Sequence, residues 1–153
     1  YLFFYSIDYP PEVCRTVQQT ARRLHLPVYI LFTGNKTYRA LPYGFRLARH
    51  QTPGDFLALV KGAKLVLSTS FHGTVFALRF GTPFYALKAK RGAAYYTDPR
   101  IATLLQTAGV AERYLPCDRA GEIYTAPLHR DPALLDRAVA ESRAFLQEGL
   151  TAR

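Results

Sequence analysis

The sequence predicts an α/β protein with a Rossmann-like parallel sheet flanked by helices. Short apolar runs of strand-forming residues alternate along the chain with longer segments in which apolar residues recur at helical spacing. Proline, glycine and small hydroxyl residues separate the two kinds of segment. A strand, a helix and a second strand in succession form a unit whose strands pair in parallel through a right-handed crossover. The alternation therefore favours one open parallel sheet with helices on its faces.

The first part of the chain predicts a strand, a helix and a second strand. Residues 1–7 are apolar nearly throughout, as in a strand that is covered on both faces. Pro11 is a natural first helical residue, and the apolar spacing after it predicts a helix over about 11–25. Residues 27–32 form the second buried strand, and the polar and aromatic stretch 33–50 is predicted as a loop. The cationic side chains of this loop fit either a solvated surface or a clasp for an anion.

The middle of the chain predicts two helices around a central strand. Thr52 and Pro53 begin a helix that ends near Gly62. Residues 65–67 form a short buried strand, and a helix over about 71–80 follows it. This strand and this helix meet at a sharp junction of small hydroxyl residues.

The remaining chain continues the alternation. Its predicted elements are a strand at 84–87, a basic loop at 88–96, a helix from Asp98 to a Gly109 cap, a strand at 113–115 and, after an irregular link over 116–130, a helix at 132–147. Asp131 is predicted to cap the last helix. With no repeat and no internal boundary, residues 1–153 are expected to form a single domain.

Composition narrows the class of partner. Hydrophobic residues make up 49% of the chain and charged residues 20%, as in globular and not disordered proteins. The formal net charge of +9 indicates an anionic partner. A phosphorylated small molecule, an acidic polysaccharide, an anionic membrane surface and a nucleic acid all fit that sign. Since no RNP-type, KH-type or helix-turn-helix pattern is present, we expect no nucleic acid.

Cysteine usage and the chain start suggest a location. Cys14 and Cys117 show no CxxC or Cys/His ligand spacing, so we expect neither a zinc site nor a disulfide framework. No apolar run approaches the ~18 residues of a membrane span, and no secretory signal opens the chain. We expect a cytoplasmic protein, with the inner face of an anionic membrane as a candidate peripheral contact. Because the sequence begins at Tyr1, inside an apolar run, we also expect it to be a piece of a longer protein.

The junction before the helix at 71–80 carries the strongest functional signal. His72 lies at a strand-to-helix turn, beside free backbone N–H groups and the positive end of the helix dipole. Such a terminus is a site for phosphate or carboxylate, and a titratable group beside an anion is a candidate acid–base residue. The alternative is that Ser70 is only an N-cap and His72 a partly buried helix-start residue. In a parallel sheet, junctions of this kind are also where ligands collect.

Basic residues follow the next strand. Lys88, Lys90 and Arg91 would reach the same rim of a parallel sheet as His72, although a solvated loop explains them equally well. The glycines form neither a G-x-G-x-x-G nor a P-loop pattern, and G-x-S-x-G is absent around Ser70. Three other histidines lack metal-ligand spacing and are expected at the surface: His25, His50 and His129. No metal is therefore expected.

The motifs in the middle of the chain resemble a known family. The run S-F-H-G-T at 70–74, the preceding segment from Asp55, the G-T-P-F at 81–84 and the D-P-R-I that starts at Asp98 look like the carboxyl-terminal half of the polysaccharide pyruvyl transferases. The similarity covers about residues 1–115. It implies one half of a GT-B-like architecture, with two Rossmann-like halves and the active site between them. The missing amino-terminal domain would then be a partner, and this domain alone is expected to be inactive.

The resemblance also implies a reaction. Enzymes of this kind move a pyruvyl group from phosphoenolpyruvate to paired hydroxyls of a sugar in a polysaccharide or its lipid-linked precursor, which forms a ketal and releases phosphate. No cofactor is implied beyond this donor. By similarity, His72 would protonate the methylene carbon of the donor or bind its phosphate. Substrate-binding residues would be the junction residues Ser70, Phe71, Gly73 and Thr74 together with Lys88, Lys90 and Arg91.

Two observations concern the cations that would hold the donor. Arg91 is the preferred cation, because a guanidinium can hold a carboxylate or phosphate through two parallel hydrogen bonds. Some members have arginine two residues before the histidine, where this chain has Ser70, so the missing cation must come from elsewhere. The alternative functions are a GT-B-like glycosyltransferase domain that binds a nucleotide sugar and a non-catalytic module that binds an anion or a glycan.

Overall fold

A six-stranded parallel sheet forms the centre of the computed structural model, which describes residues 1–128 and 132–151. The strands are β1 (Leu2–Tyr5), β2 (Val28–Ile30), β3 (Arg46–Leu47), β4 (Leu65–Ser68), β5 (Phe84–Lys88), β6 (Lys90–Arg91), β7 (Ala94–Tyr95) and β8 (Tyr114–Pro116). The α-helices are α1 (Pro11–Arg23), α2 (Pro53–Gly62), α3 (Phe71–Phe80), α4 (Pro99–Thr107) and α5 (Pro132–Thr151). Short 3-10 helices span Asn35–Tyr43, Ala111–Arg113 and Ala120–Glu122.

The strand order defines a doubly wound sheet. The large sheet runs β3-β2-β1-β4-β5-β8, and all five neighbouring pairs are parallel. The chain winds outward from β1 to β3 and then returns to place β4 on the other side of β1. This reversal creates a switch point between β1 and β4, where ligands of open α/β sheets bind. The predicted α/β, Rossmann-like fold class is confirmed.

The sheet is covered on both faces, which explains why the residues of its central strands are apolar nearly throughout. Leu2 and Phe4 of β1 pack into one core with α1, whereas Phe3 packs into a second core with α2, α3 and α4. Neighbouring residues of β4 divide in the same way: Leu65 and Leu67 join the first core and Val66 joins the second.

Four elements lie in two stretches that the sequence predicted as loops. A 3-10 helix and the two-residue strand β3 occupy the stretch 33–50. The antiparallel hairpin of β6 and β7 replaces the loop at 88–96. Strands of two residues are too short to show an alternation of apolar and polar positions, and both residues of β3 are exposed. The pattern therefore gave no strand signal there.

Two predicted features fall on residues that the structure does not describe. The predicted Asp131 cap and the expected surface position of His129 fall outside the described residues. Helix α5 is longer than predicted, with its end at Thr151. Within residues 1–128 and 132–151, none of the helices combines the length and the apolar character that crossing a membrane requires.

Candidate active site

A polar cleft of about 490 Å³ lies outside the carboxyl ends of β1, β4 and β5. Its walls come from the segments that follow these strands, from the start of α3, from the β6–β7 hairpin and from the start of α4. The cleft therefore occupies the switch point of the sheet. Residues that are distant in sequence meet there because parallel strands point their carboxyl ends to one edge.

Hydroxyl groups tie the two central strands together at the floor of the cleft. The Thr69 hydroxyl donates to the Ser6 Oγ at 2.8 Å, and the Thr69 N–H donates to the Tyr5 carbonyl at 3.2 Å. The Ser6 Oγ also accepts a hydrogen bond from the Tyr9 N–H at 3.1 Å. These bonds satisfy backbone groups at the ends of β1 and β4, and they fix the position from which α3 begins.

The tight turn into α3 depends on Gly73. The Ser68 Oγ accepts a hydrogen bond from the Ser70 N–H at 2.9 Å and donates to the Tyr5 carbonyl at 2.9 Å. A Cβ atom on Gly73 would lie only 2.4 Å from this Oγ and 3.1 Å from the Tyr5 ring. Glycine is needed here because the helix packs directly against β1 and β4. Its place in the S-F-H-G-T run thus has a steric reason.

His72 is exposed at the first turn of α3 and lines the cleft. The Thr74 N–H donates to the Ser70 carbonyl at 3.1 Å and closes the first helical turn. The N–H groups of Phe71, His72 and Gly73 precede that bond and have no carbonyl partner within the helix. Ser70 occupies the N-cap position, but its side chain makes no capping hydrogen bond. Ser70 thus holds the N-cap position of the alternative interpretation without a capping bond, whereas the partly buried His72 of that interpretation is wrong, since His72 is exposed.

Two predicted cations line the cleft from the β6–β7 hairpin. Arg91 stacks its guanidinium on the Tyr96 ring, 3.7 Å from the centroid, and the Lys90 amine lies 5.5 Å from the centroid of Tyr95. Within residues 1–128 and 132–151, neither forms a salt bridge. Aromatic stacking orients a guanidinium without neutralising it. Both charges remain available for an anion.

The hairpin is anchored to the end of the sheet. The Tyr95 hydroxyl donates a hydrogen bond to the Asp118 carboxylate, just beyond β8. This bond raises the pKa of Tyr95 to about 12 and lowers the pKa of Asp118 below its usual range. The Lys90 N–H also donates to the Glu12 carboxylate at 3.3 Å. The hairpin that carries the two cations is thus fastened to both α1 and the segment after β8.

Two further arginines line the cleft, and sequence reasoning missed one of them, Arg100. Arg100, in the first turn of α4, lies over the Phe71 ring at 5.4 Å from its centroid and forms a 2.7 Å salt bridge with Asp98. Arg39 also lines the cleft, from the 3-10 helix after β2, in the cationic stretch for which a clasp for an anion was one of two alternatives. Asp98 also caps α4, and its hydrogen bonds from the Arg100 side chain hold the pKa of the carboxyl below its usual range.

Several predicted substrate-binding residues do not line the cleft. The Lys88 amine lies against the Tyr114 ring, 4.7 Å from its centroid. Thr74 is fully buried, and its hydroxyl donates to the Ser70 carbonyl at 2.9 Å. Gly73 is buried against the sheet. Five of the predicted site residues do line the cleft: Ser70, Phe71, His72, Lys90 and Arg91.

The cleft holds few acidic groups. The Asp8 carboxylate pairs with the Lys36 amine at 2.6 Å, and Asp98 pairs with Arg100 as described. No group of three or more histidine, cysteine or acidic side chains in the described part of the chain is arranged to hold a metal ion. The site is therefore dominated by cations, free helix amides and one exposed imidazole.

The sheet order and this arrangement of groups define a Rossmann-like domain with a cationic cleft whose groups suit an anionic ligand beside an exposed histidine. The family model for polysaccharide pyruvyl transferases matches residues 11–90, which is more than half of the chain, and the chain belongs to this family. The family predicted from the S-F-H-G-T run is thus confirmed. A search of curated proteins gave no match. The matched segment includes His72 and ends at Lys90, so Arg91 and Arg100 lie beyond it.

Proposed function

We propose that this protein transfers a pyruvyl group from phosphoenolpyruvate to two hydroxyls of a sugar, with formation of a ketal and release of phosphate. The main support is the exposed His72 at the start of α3, inside a cleft lined by cations. Membership of the family makes a sugar or polysaccharide acceptor the expected partner. In this proposal the domain is the donor-binding half of a GT-B-like enzyme, and the acceptor is a polysaccharide unit or a lipid-linked oligosaccharide.

The donor presents two anionic groups to this cleft, a phosphate and a carboxylate. The free amides of Phe71, His72 and Gly73 suit the phosphate, because oriented N–H groups and the helix dipole both favour negative charge. Arg91 suits the carboxylate, since its fork of donors matches a carboxylate through two hydrogen bonds. Arg100 takes the place of the arginine that some members carry where this chain has Ser70, because its guanidinium lies over the neighbouring Phe71 ring and, although paired with Asp98, stays 66% exposed.

The proposed chemistry needs one proton donor beside the enol. His72 protonates the methylene carbon of the donor, which becomes a methyl group while positive charge develops at the adjacent carbon. A sugar hydroxyl attacks that carbon, and its proton restores the imidazolium. The second hydroxyl then displaces phosphate, which leaves with the second proton. The proton of the imidazolium thus ends on the methyl group, the first sugar proton replaces it on His72, and the second leaves with phosphate, so the atoms balance.

The charges of the cleft favour phosphoenolpyruvate over a nucleotide sugar. A nucleotide-sugar site commonly uses a free acidic side chain to hold the ribose hydroxyls. Here the two carboxylates that line the cleft, Asp8 and Asp98, are each paired with a cation. The unpaired groups are cationic, as a small donor with two anionic ends requires.

The direct test measures phosphate release from the protein that contains this domain, supplied with phosphoenolpyruvate and a sugar acceptor. His72→Ala is expected to lower the rate by about 10²–10⁴-fold, the usual contribution of a general acid. His50→Ala is the matched control, because His50 is also exposed but lies outside the cleft. Unchanged release in His72→Ala would refute the role of this imidazole. Donor binding without any turnover of the wild-type protein would favour a non-catalytic module.

A further inference from the structure

We infer that a second cleft binds the acceptor sugar, with Phe32 as the surface on which the pyranose ring lies. It lies beside the cleft that His72, Lys90 and Arg91 line, which is called the cationic cleft below. This inference rests on the proposed function and adds the place of the second substrate. The second cleft, of about 390 Å³, lies outside the carboxyl ends of β1 and β2, next to the start of α2. Ile7 lines both clefts, so the two are contiguous.

Phe32 is an exposed aromatic side chain on a fixed backbone. The residue is 59% exposed, and it has no aromatic partner within residues 1–128 and 132–151. Its N–H donates to the Gln51 side-chain oxygen at 2.8 Å, and the Gln51 amide donates in turn to the Ala48 carbonyl at 3.0 Å. The Thr33 N–H donates to the Thr37 hydroxyl at 3.0 Å. Phe32 lines this cleft together with the exposed Ile7, and neighbouring exposed apolar side chains of this kind mark a binding surface more than a single one does.

Polar groups surround the ring without adding charge. Every side chain that lines this cleft is uncharged, in contrast to the cationic cleft beside it. The Tyr5 ring packs against Phe56 at 4.9 Å between centroids, and the Tyr5 hydroxyl makes no hydrogen bond with the described residues. A phenol hydroxyl both donates and accepts. An aromatic face with nearby hydroxyls suits a neutral pyranose, which has an apolar C–H face and a rim of hydroxyl groups.

Proximity supports the same assignment. In the proposed reaction, a sugar oxygen must come within bonding distance of the donor carbon held near His72. Ile7, which is 58% exposed, forms the wall shared by the two clefts. A sugar seated on Phe32 can therefore present a pair of hydroxyls across Ile7 towards the cationic cleft. In this arrangement the uncharged cleft binds the neutral sugar, and the cationic cleft binds the anionic donor.

The experiment follows backbone amide shifts of the ¹⁵N-labelled protein by NMR during two separate titrations. One uses a panel of methyl pyranosides and the other uses phosphoenolpyruvate. A pyranoside is expected to shift the amides of Phe32, Thr33 and Gln51, and Phe32→Ala should weaken that binding about tenfold through loss of the aromatic face. Phe32→Tyr should retain binding. Phe145→Ala is the matched control, since Phe145 is an exposed phenylalanine on α5.

The two titrations separate this inference from the proposed function. If no pyranoside shifts the three amides, or if Phe32→Ala binds as tightly as wild type, the sugar site is refuted even when phosphoenolpyruvate shifts the amides of 71–73. If a pyranoside binds at Phe32 but phosphoenolpyruvate leaves 71–73 unshifted, the sugar site stands and the proposed donor fails.

Discussion

A Cβ atom added to Gly73 would lie 2.4 Å from the Oγ of Ser68. The Gly73→Ala variant therefore forces α3 away from β4, although alanine is the better helix former by up to about 1 kcal/mol. Overpacking of this kind costs about 1–3 kcal/mol, so the variant is expected to unfold at a lower temperature than wild type. Thermal unfolding followed by circular dichroism measures the difference.

Gly54→Ala provides the matched control for that variant. Gly54 lies in the first turn of α2, and an added Cβ would meet only the Thr52 hydroxyl at 3.7 Å. Alanine there should leave the Tm unchanged or raise it slightly. A Gly73→Ala protein as stable as Gly54→Ala would show that α3 can shift at no cost, contrary to the packing described.

Arg91→Ala is expected to weaken binding of phosphoenolpyruvate about 10–100-fold, as loss of a charge-assisted hydrogen bond predicts. Arg91→Lys should be intermediate, because an ammonium keeps the charge but not the two parallel bonds. Isothermal titration calorimetry measures both. Arg79→Ala, at the far end of α3 and outside the cleft, should bind as wild type does. Equal affinities for Arg91→Ala and Arg79→Ala would remove Arg91 from the site.

The Asp98 carboxyl is expected to make stability depend on pH in the acid range. The hydrogen bonds from Arg100 lower the pKa of this group in the folded state. The contribution of this carboxylate to the free energy of unfolding is therefore complete above its pKa in the unfolded chain, about 3.9. It is lost as the pH falls through the lower pKa of the folded state. The Tm difference between wild type and Asp98→Asn should be constant above about pH 5 and should shrink below it.

Asp98→Ala separates the charge from the helix cap. This variant also loses the hydrogen bond that the Asp98 carboxylate accepts from the Arg100 N–H, whereas asparagine can still cap. We expect an additional loss of about 0.5–2 kcal/mol at neutral pH relative to Asp98→Asn. A Tm difference between wild type and Asp98→Asn that grows on acidification would contradict the direction of the pKa shift.

The two cysteines report on the integrity of the first core. Cys14 and Cys117 are buried and form no disulfide. Burial is the main reason why the pKa of each thiol is raised, to about 12 for Cys14, and the nearby Glu12 charge adds to it. Only a thiolate reacts readily with a disulfide reagent. Neither cysteine should react with Ellman's reagent at pH 8 in the native protein, and both should react in denaturant. Rapid reaction of the native protein would contradict the packing around α1.

The central part of the fold was predictable because its signals are local. Strands covered on both faces, such as β1 and β4, are apolar nearly throughout, and the turn at Gly81 and Pro83 ends α3 clearly. The edge strand β3 has no such signal, because its residues Arg46 and Leu47 are both exposed. Its position depends on parallel pairing with β2, and no local pattern encodes that contact.

The same distinction applies to the site. The position of His72 was predictable, since a strand, a tight turn and a helix start lie in one short stretch of sequence; its role in the site stays a prediction. Arg100 was not, because it reaches the Phe71 ring only through the packing of α4 beside α3. Lys88 was predicted at the rim of the cleft but does not line it. It is the last residue of β5, and its amine lies against the Tyr114 ring of β8. The predicted contributions of Lys88, Gly73 and Thr74 to substrate binding remain predictions.

The cationic cleft has a consequence for the proposed enzyme at work. Lys90 and Arg91 are exposed and form no salt bridges with the described residues, so in the proposed enzyme they would attract any phosphate ion and not only that of the donor. Orthophosphate, the by-product of ketal formation, carries the same group as the donor and would compete for the same amides and guanidinium. Product inhibition would then tie the pace of polysaccharide modification to the phosphate level around the enzyme.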